Sequence, residues 1–102
     1  MNVIAEFTII PIGVGVSLSE YVAACERVLA ETGLHFELHA NGTNIEGDWD
    51  EVMQAIKRCH ETLHRQGVPR ISTIVKLGTR IDRNQKMDEK VVSVKTKLAK
   101  NK

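Results

Sequence analysis

Three side chains on one short stretch carry the most obvious chemistry in this sequence: His35, Glu37 and His39, each two residues from the next. Imidazoles and carboxylates are metal ligands and proton carriers, so their spacing decides what they can do. In an extended strand, i and i+2 side chains lie roughly 6–7 Å apart on one face. His35 and His39 would be about twice that apart, too far to share a zinc ion held at about 2.0–2.1 Å. No metal site is therefore expected within one chain. The three read as a stripe facing solvent or an interface.

Other candidates invite narrower readings. Gly13 and Gly15 precede a helix, where free amides and the helix dipole favour anions. They lack both the Walker lysine and the third glycine of a dinucleotide fingerprint, so a flexible loop or the wall of a pocket is expected. Glu6 and Lys76 fall on two strands and face the same way, as a structural ion pair or a ligand contact. Thr43 and Glu46 flank a short arm, where turn and capping interactions would also explain them. Cys25 and Cys59 fall on apolar helical stripes and read as buried free thiols. His60 and His64 share the charged face of a helix with Lys57, Glu61 and Arg65, and read as solvated. No nucleophile stands beside a base, so no catalytic set emerges and an enzyme is not expected.

The elements positioning these residues follow from periodicity. Val3–Ile10 alternates with apolar residues on both faces, a strand inside a sheet, and Pro11 ends it. Ser17 and Glu20 have capping-box spacing, and Leu18, Tyr21, Val22, Cys25, Val28 and Leu29 form one helical stripe, closed by Gly33. Leu34–Ala40 alternates as a second strand. Asn41-Gly42 is the expected turn into Thr43–Glu46, with Gly47 as a breaker. Asp48 caps a second helix buried along Val52, Ile56, Cys59 and Leu63, and Gly67 stops it. Ile71–Gly78 is the last strand. A final helix starts near Asp88, with Val91, Val94 and Leu98 as a thin seam.

The order strand, helix, strand, strand, helix, strand predicts an α+β fold. It is a ferredoxin-like βαββαβ sandwich over residues 1–102 as a single domain, with an additional C-terminal helix. Right-handed crossovers are expected to put Val3–Ile10 and Ile71–Gly78 at the sheet centre. One helix layer leaves the other face open. That face would carry Ile4, Glu6, Thr8, Ile10, His35, Glu37, His39, Ser72, Ile74 and Lys76, and a second subunit would cover it.

Composition sets the outer bounds. The chain has 102 residues, 42% apolar and 26% charged, with 14 basic against 13 acidic side chains and a net charge of +1. That balance gives no long-range pull toward nucleic acid or an anionic membrane. Lys95, Lys97, Lys100 and Lys102 read as a solvated helix end. No run is long enough to span a bilayer and the N-terminus lacks a signal-peptide pattern. A cytoplasmic location is the default.

The whole chain resembles the small thiamine-binding protein family, uncharacterised ferredoxin-like proteins of about 100 residues. The likeness runs through A-E-F-T-I-I-P-I-G (Ala5–Gly13), S-L-S-E-Y-V (Ser17–Val22), G-T-N-I-E-G-D-W-D-E-V (Gly42–Val52), C-H-E (Cys59–Glu61) and R-I-S-T-I-V-K-L-G-T-R-I-D (Arg70–Asp82). The resemblance implies subunits assembled as a dimer of dimers, a homotetramer, which bind thiamine or its hydroxymethylpyrimidine moiety as carrier or sensor. It implies no reaction and no cofactor. The alternative is an oligomeric regulatory or protein-interaction module without a small-molecule ligand. Where the family pattern often has Pro-Met before Gly-Thr, this chain has Ala40-Asn41, which makes one pocket wall polar. Thiamine carries a cationic thiazolium and an aminopyrimidine, so a pocket for it needs an apolar wall, a carboxylate and hydroxyl or backbone partners. Glu6, Thr43 and Glu46 are the polar positions expected to serve, with Phe7, Ile9 and Ile12 as wall.

Overall fold

A computed structural model describes residues 1–100, so Lys102 of the basic tail lies outside the described residues. The order is β1 (Asn2–Ile12), α1 (Ser19–Thr32), β2 (His35–His39), β3 (Gly42–Asp48), α2 (Trp49–Arg65), β4 (Arg70–Thr79) and α3 (Met87–Lys100). This is the ferredoxin-like βαββαβ sandwich with an added C-terminal helix.

The sheet order is β2-β3-β1-β4, with every neighbouring pair antiparallel. The central strands are thus β1 and β3, and β4 lies at an edge, contrary to the expectation that β1 and β4 would be central. Each crossover helix skips one strand, so β3 fills the gap between β1 and β2. Side-chain environment agrees with this order. Thr43 and Ile45 of β3 are buried, whereas Val75 and Leu77 of β4 remain 38% and 37% exposed.

Period-two alternation divides the sheet. Val3, Ala5, Phe7 and Ile45 face the two helices and join Val28, Leu29, Val52, Ile56, Cys59 and Leu63 in one apolar core. On α1 the stripe predicted from sequence narrows to Ala24, Cys25, Val28 and Leu29 as its buried part. The other sheet face carries Ile4, Glu6, Asn44, Glu46 and Lys76. Only the first residue of α3, Met87, is buried, and Val91, Val94 and Leu98 are exposed.

Local signals are resolved unevenly. Gly33 closes α1 in the left-handed region, at φ 75°. The Asp48 side chain accepts from the Asp50 amide at 3.2 Å and opens α2 as expected. The Ser17–Glu20 capping box does not form. Helix α1 begins two residues later, at Ser19, and Leu18 occupies the cap position without a side-chain bond. Gly47 does not break β3, which pairs with Val3 at that point and runs on to Asp48.

The β2–β3 turn also differs from the expected Asn41-Gly42. His39 pairs with Gly42 across Ala40-Asn41, and among the described residues no non-glycine has a positive φ. Gly42 is needed for proximity. A Cβ there would lie 2.8 Å from both the Phe7 carbonyl oxygen and Thr8 Oγ1. Replacing Gly42 by Ala trims the flexibility of the unfolded chain, a gain of about 0.4–1 kcal/mol. The clash with a backbone atom costs about 1–3 kcal/mol and wins. Gly42→Ala should therefore lower the urea midpoint; an unchanged or higher midpoint would contradict this packing.

Candidate functional site

Strand β1 is longer than the strand beside it. Its pairing with β3 reaches only Phe7 opposite Thr43, while its pairing with β4 continues to Ile12 opposite Arg70. From Thr8 onward one edge of β1 has no strand beside it among the described residues. Helix α1 passes on one side of this gap and the β2–β3 turn on the other. The result is a cleft of about 350 Å³, with Phe7, Ile9, Tyr21 and Leu38 among its apolar lining and Glu26 and Thr43 among its polar groups. Clefts of this size and character hold small organic molecules.

Glu26 is the carboxylate of the cleft. Thr43 Oγ1 donates to it at 3.3 and 3.4 Å from the two carboxylate oxygens. Partial burial raises the Glu26 carboxyl above its ordinary value, and the Thr43 hydrogen bond offsets only part of that effect. A group so placed is ready to receive a cation or a paired N–H donor.

The turn is held against β1 by Thr8 Oγ1, which donates to the Asn41 carbonyl at 2.8 Å. His39 Nδ1 accepts from the Asn41 amide at 3.3 Å, which leaves the ring proton on Nε2. That nitrogen lies 3.3 Å from Glu6 Oε2. Ala40 and Asn41 of the turn both line the cleft.

Of the six positions singled out from sequence, Phe7, Ile9 and Thr43 line this cleft. Glu6 is the immediate neighbour of Phe7 and so points to the opposite sheet face. It sits across from Lys76 in register, yet its Oε2 lies 3.3 Å from His39 Nε2 instead, so the expected Glu6–Lys76 pair does not form. Ile12 is exposed beyond the cleft. Glu46 is three residues from Thr43 and thus on the other face, where its Oε2 accepts from the Met87 amide at 2.8 Å and anchors α3. Glu26 was not anticipated. A signal existed: it stands four residues after Val22 and three before Leu29, on the edge of the α1 stripe.

The remaining reactive groups are structural. Cys25 and Cys59 are buried free thiols. Cys59 Sγ donates to the Cys25 carbonyl at 3.7 Å. Its hydrogen bonding with Cys25, reinforced by burial, pushes the Cys59 thiol above the ordinary range. The helix histidines are less solvated than expected. His60 Nε2 bonds Thr73 Oγ1 and joins α2 to β4. His64 Nδ1 donates to the Val68 carbonyl at 2.7 Å. Burial and the neighbouring His64 depress the His60 imidazole.

His35, Glu37 and Asp88 each present one donor atom, all within 4.8 Å of one another. His35 Nε2 lies 3.5 Å from an oxygen of each carboxylate. The third donor comes from α3 rather than from His39, and all three groups are exposed. Among the described residues, no helix is long and apolar enough to cross a membrane.

Comparison with known proteins agrees with this architecture. The family described as thiamine-binding protein matches residues 5–95. A UPF0045 protein of Synechocystis is 60% identical, over 96% of this chain and 81% of its own. A UPF0045 protein of Eremothecium gossypii is 39% identical, over 97% and 95%. The crystal structure of a Methanocaldococcus jannaschii hypothetical protein superposes with a TM-score of 0.84 at 35% identity, covering 91% of this chain and 95% of that one.

Proposed function

The chain belongs to the thiamine-binding protein family, and from that premise we propose that it binds thiamine or its hydroxymethylpyrimidine moiety without turnover, as a carrier or sensor. The observation that carries this reading is Glu26, the one carboxylate lining a predominantly apolar cleft of about 350 Å³. Phe7, Ile9 and Tyr21 supply the flat and aliphatic surface for a ring. Thr43 orients Glu26 through its hydroxyl. The unpaired edge of β1 beyond Phe7 offers backbone donors and acceptors to the aminopyrimidine, much as a missing strand would. Glu6, Ile12 and Glu46 take no part in this assignment.

The polar groups of the cleft suit holding a ligand. The one thiol among them, that of Cys25, is buried within the core. The protein works as a single domain within a cytoplasmic homotetramer, its uncovered sheet face and the exposed Val91, Val94 and Leu98 of α3 meeting other copies. A regulatory role would use the same assembly.

Calorimetric titration of the full chain with thiamine, thiamine phosphates and hydroxymethylpyrimidine tests this reading. One saturating event per chain with at least one of them is expected. Absence of heat and saturation with all of them would refute the ligand assignment.

A further inference from the structure

A second cleft, of about 360 Å³, opens at the other end of β1, where the segment between β4 and α3 folds back beside the sheet. It is separated from the first along β1 by the span from Ile4 to Phe7, about 10 Å of strand. Its lining is cationic. Arg80, Arg83, Lys86 and Lys90 all border it, and Glu46 is the one carboxylate among its lining residues.

Partnering sharpens the imbalance. Arg80 is spent on structure: it grips both carboxylate oxygens of Asp82 at 2.6 and 2.8 Å and donates to Gln85 Oε1 at 2.8 Å. Among the described residues, Arg83, Lys86 and Lys90 have no carboxylate within 4.0 Å of their charged nitrogens. Glu46 already accepts from the Met87 amide. Three unneutralised cations therefore border one cleft in a chain whose net charge is only +1.

We propose that this cleft is an anion site for a phosphoryl-bearing ligand. Arg83 supplies the planar fork that matches two phosphate oxygens, and Lys86 and Lys90 supply point charges for the rest. A single carboxylate would leave part of that charge unanswered, whereas a phosphoryl group offers three acceptor oxygens. Arg80 and Asp82 brace the loop that carries Arg83, so the site is tied to the end of β4 and the start of α3. Occupancy would pin α3, which among the described residues is otherwise held to the sheet near its start, by buried Met87, its bond to Glu46 and the Asp88–His35 contact.

Titration of the full chain with pyrophosphate at low ionic strength, followed by calorimetry, tests this. One saturating event per chain is expected, weakened at least about tenfold in the Arg83→Ala/Lys90→Ala double variant and unchanged in Glu26→Gln. Both replaced side chains are exposed; Lys86→Glu is a second variant, expected to weaken binding as well, and urea midpoints verify that each is folded. No saturation up to about 5 mM pyrophosphate, or equal affinity in the folded variants, would overturn the site. Neither outcome bears on the first cleft, because Arg83, Lys86 and Lys90 do not line it.

Discussion

Glu26→Gln is expected to weaken thiamine binding about 10–100-fold while leaving the protein folded. The change keeps the size of the side chain and removes its charge. A hydrogen bond to a charged partner contributes about 1.5–3 kcal/mol, and about 1.4 kcal/mol is a factor of ten in affinity. Binding of the cation should also weaken as pH falls through the Glu26 titration, because the carboxyl then becomes neutral. Stability should respond in the opposite sense. The folded-state value of Glu26 is raised above 4.5, mainly by burial. Its contribution to stability is present below the unfolded value and is lost as pH rises through the folded one. The Gln variant lacks that penalty, so near pH 7 its urea midpoint should match or exceed the wild type. The difference should shrink toward pH 4. Affinity unchanged at pH 7 would remove Glu26 from the site.

The largest loss of stability is expected from Ile45→Ala, about 2–5 kcal/mol. Ile45 is fully buried on the central strand β3, between Ala5 of β1 and Phe36 of β2 in register. It joins sheet to helix in the core. Truncation leaves a cavity that neither neighbouring strand can close without breaking its ladder. Against the about 5–15 kcal/mol that holds a typical domain together, this is a large fraction. Ile74→Ala is the control: its side chain is 64% exposed on the edge strand β4, and a shift within about 0.5 kcal/mol is expected. Urea unfolding of both variants measures the contrast. Equal losses would mean that β3 is not the centre of the sheet.

The elements were legible because long amphipathic patterns are local information. The α2 stripe of Val52, Ile56, Cys59 and Leu63 and the Gly33 cap both hold. Strand order was less legible: a crossover rule gives handedness, but which strand fills the gap depends on how β3 docks on β1. The turn misled for a related reason. Asn-Gly suggests a left-handed pair, yet Gly42 is required by the nearness of Phe7 and Thr8, which is tertiary.

The cleft lies further from the sequence still. It exists because β1 runs five residues past its last partner in β3, from Phe7 to Ile12, and no local pattern records a missing neighbour. Part of its membership was readable all the same. Thr43 and Glu46 differ by an odd number of strand positions, so parity alone puts them on opposite faces. The same parity separates Glu6 from Phe7. Glu26 was not among the expected positions because its neighbour Cys25 carried the stripe.

The most direct measurement is a crystal structure of the full chain grown with thiamine. Density for the ligand between α1 and the β2–β3 turn is expected, with a ligand nitrogen within hydrogen-bond distance of the Glu26 carboxylate. Thiamine lodged instead against Glu6 or Glu46 on the other sheet face, with this cleft empty, would contradict the account.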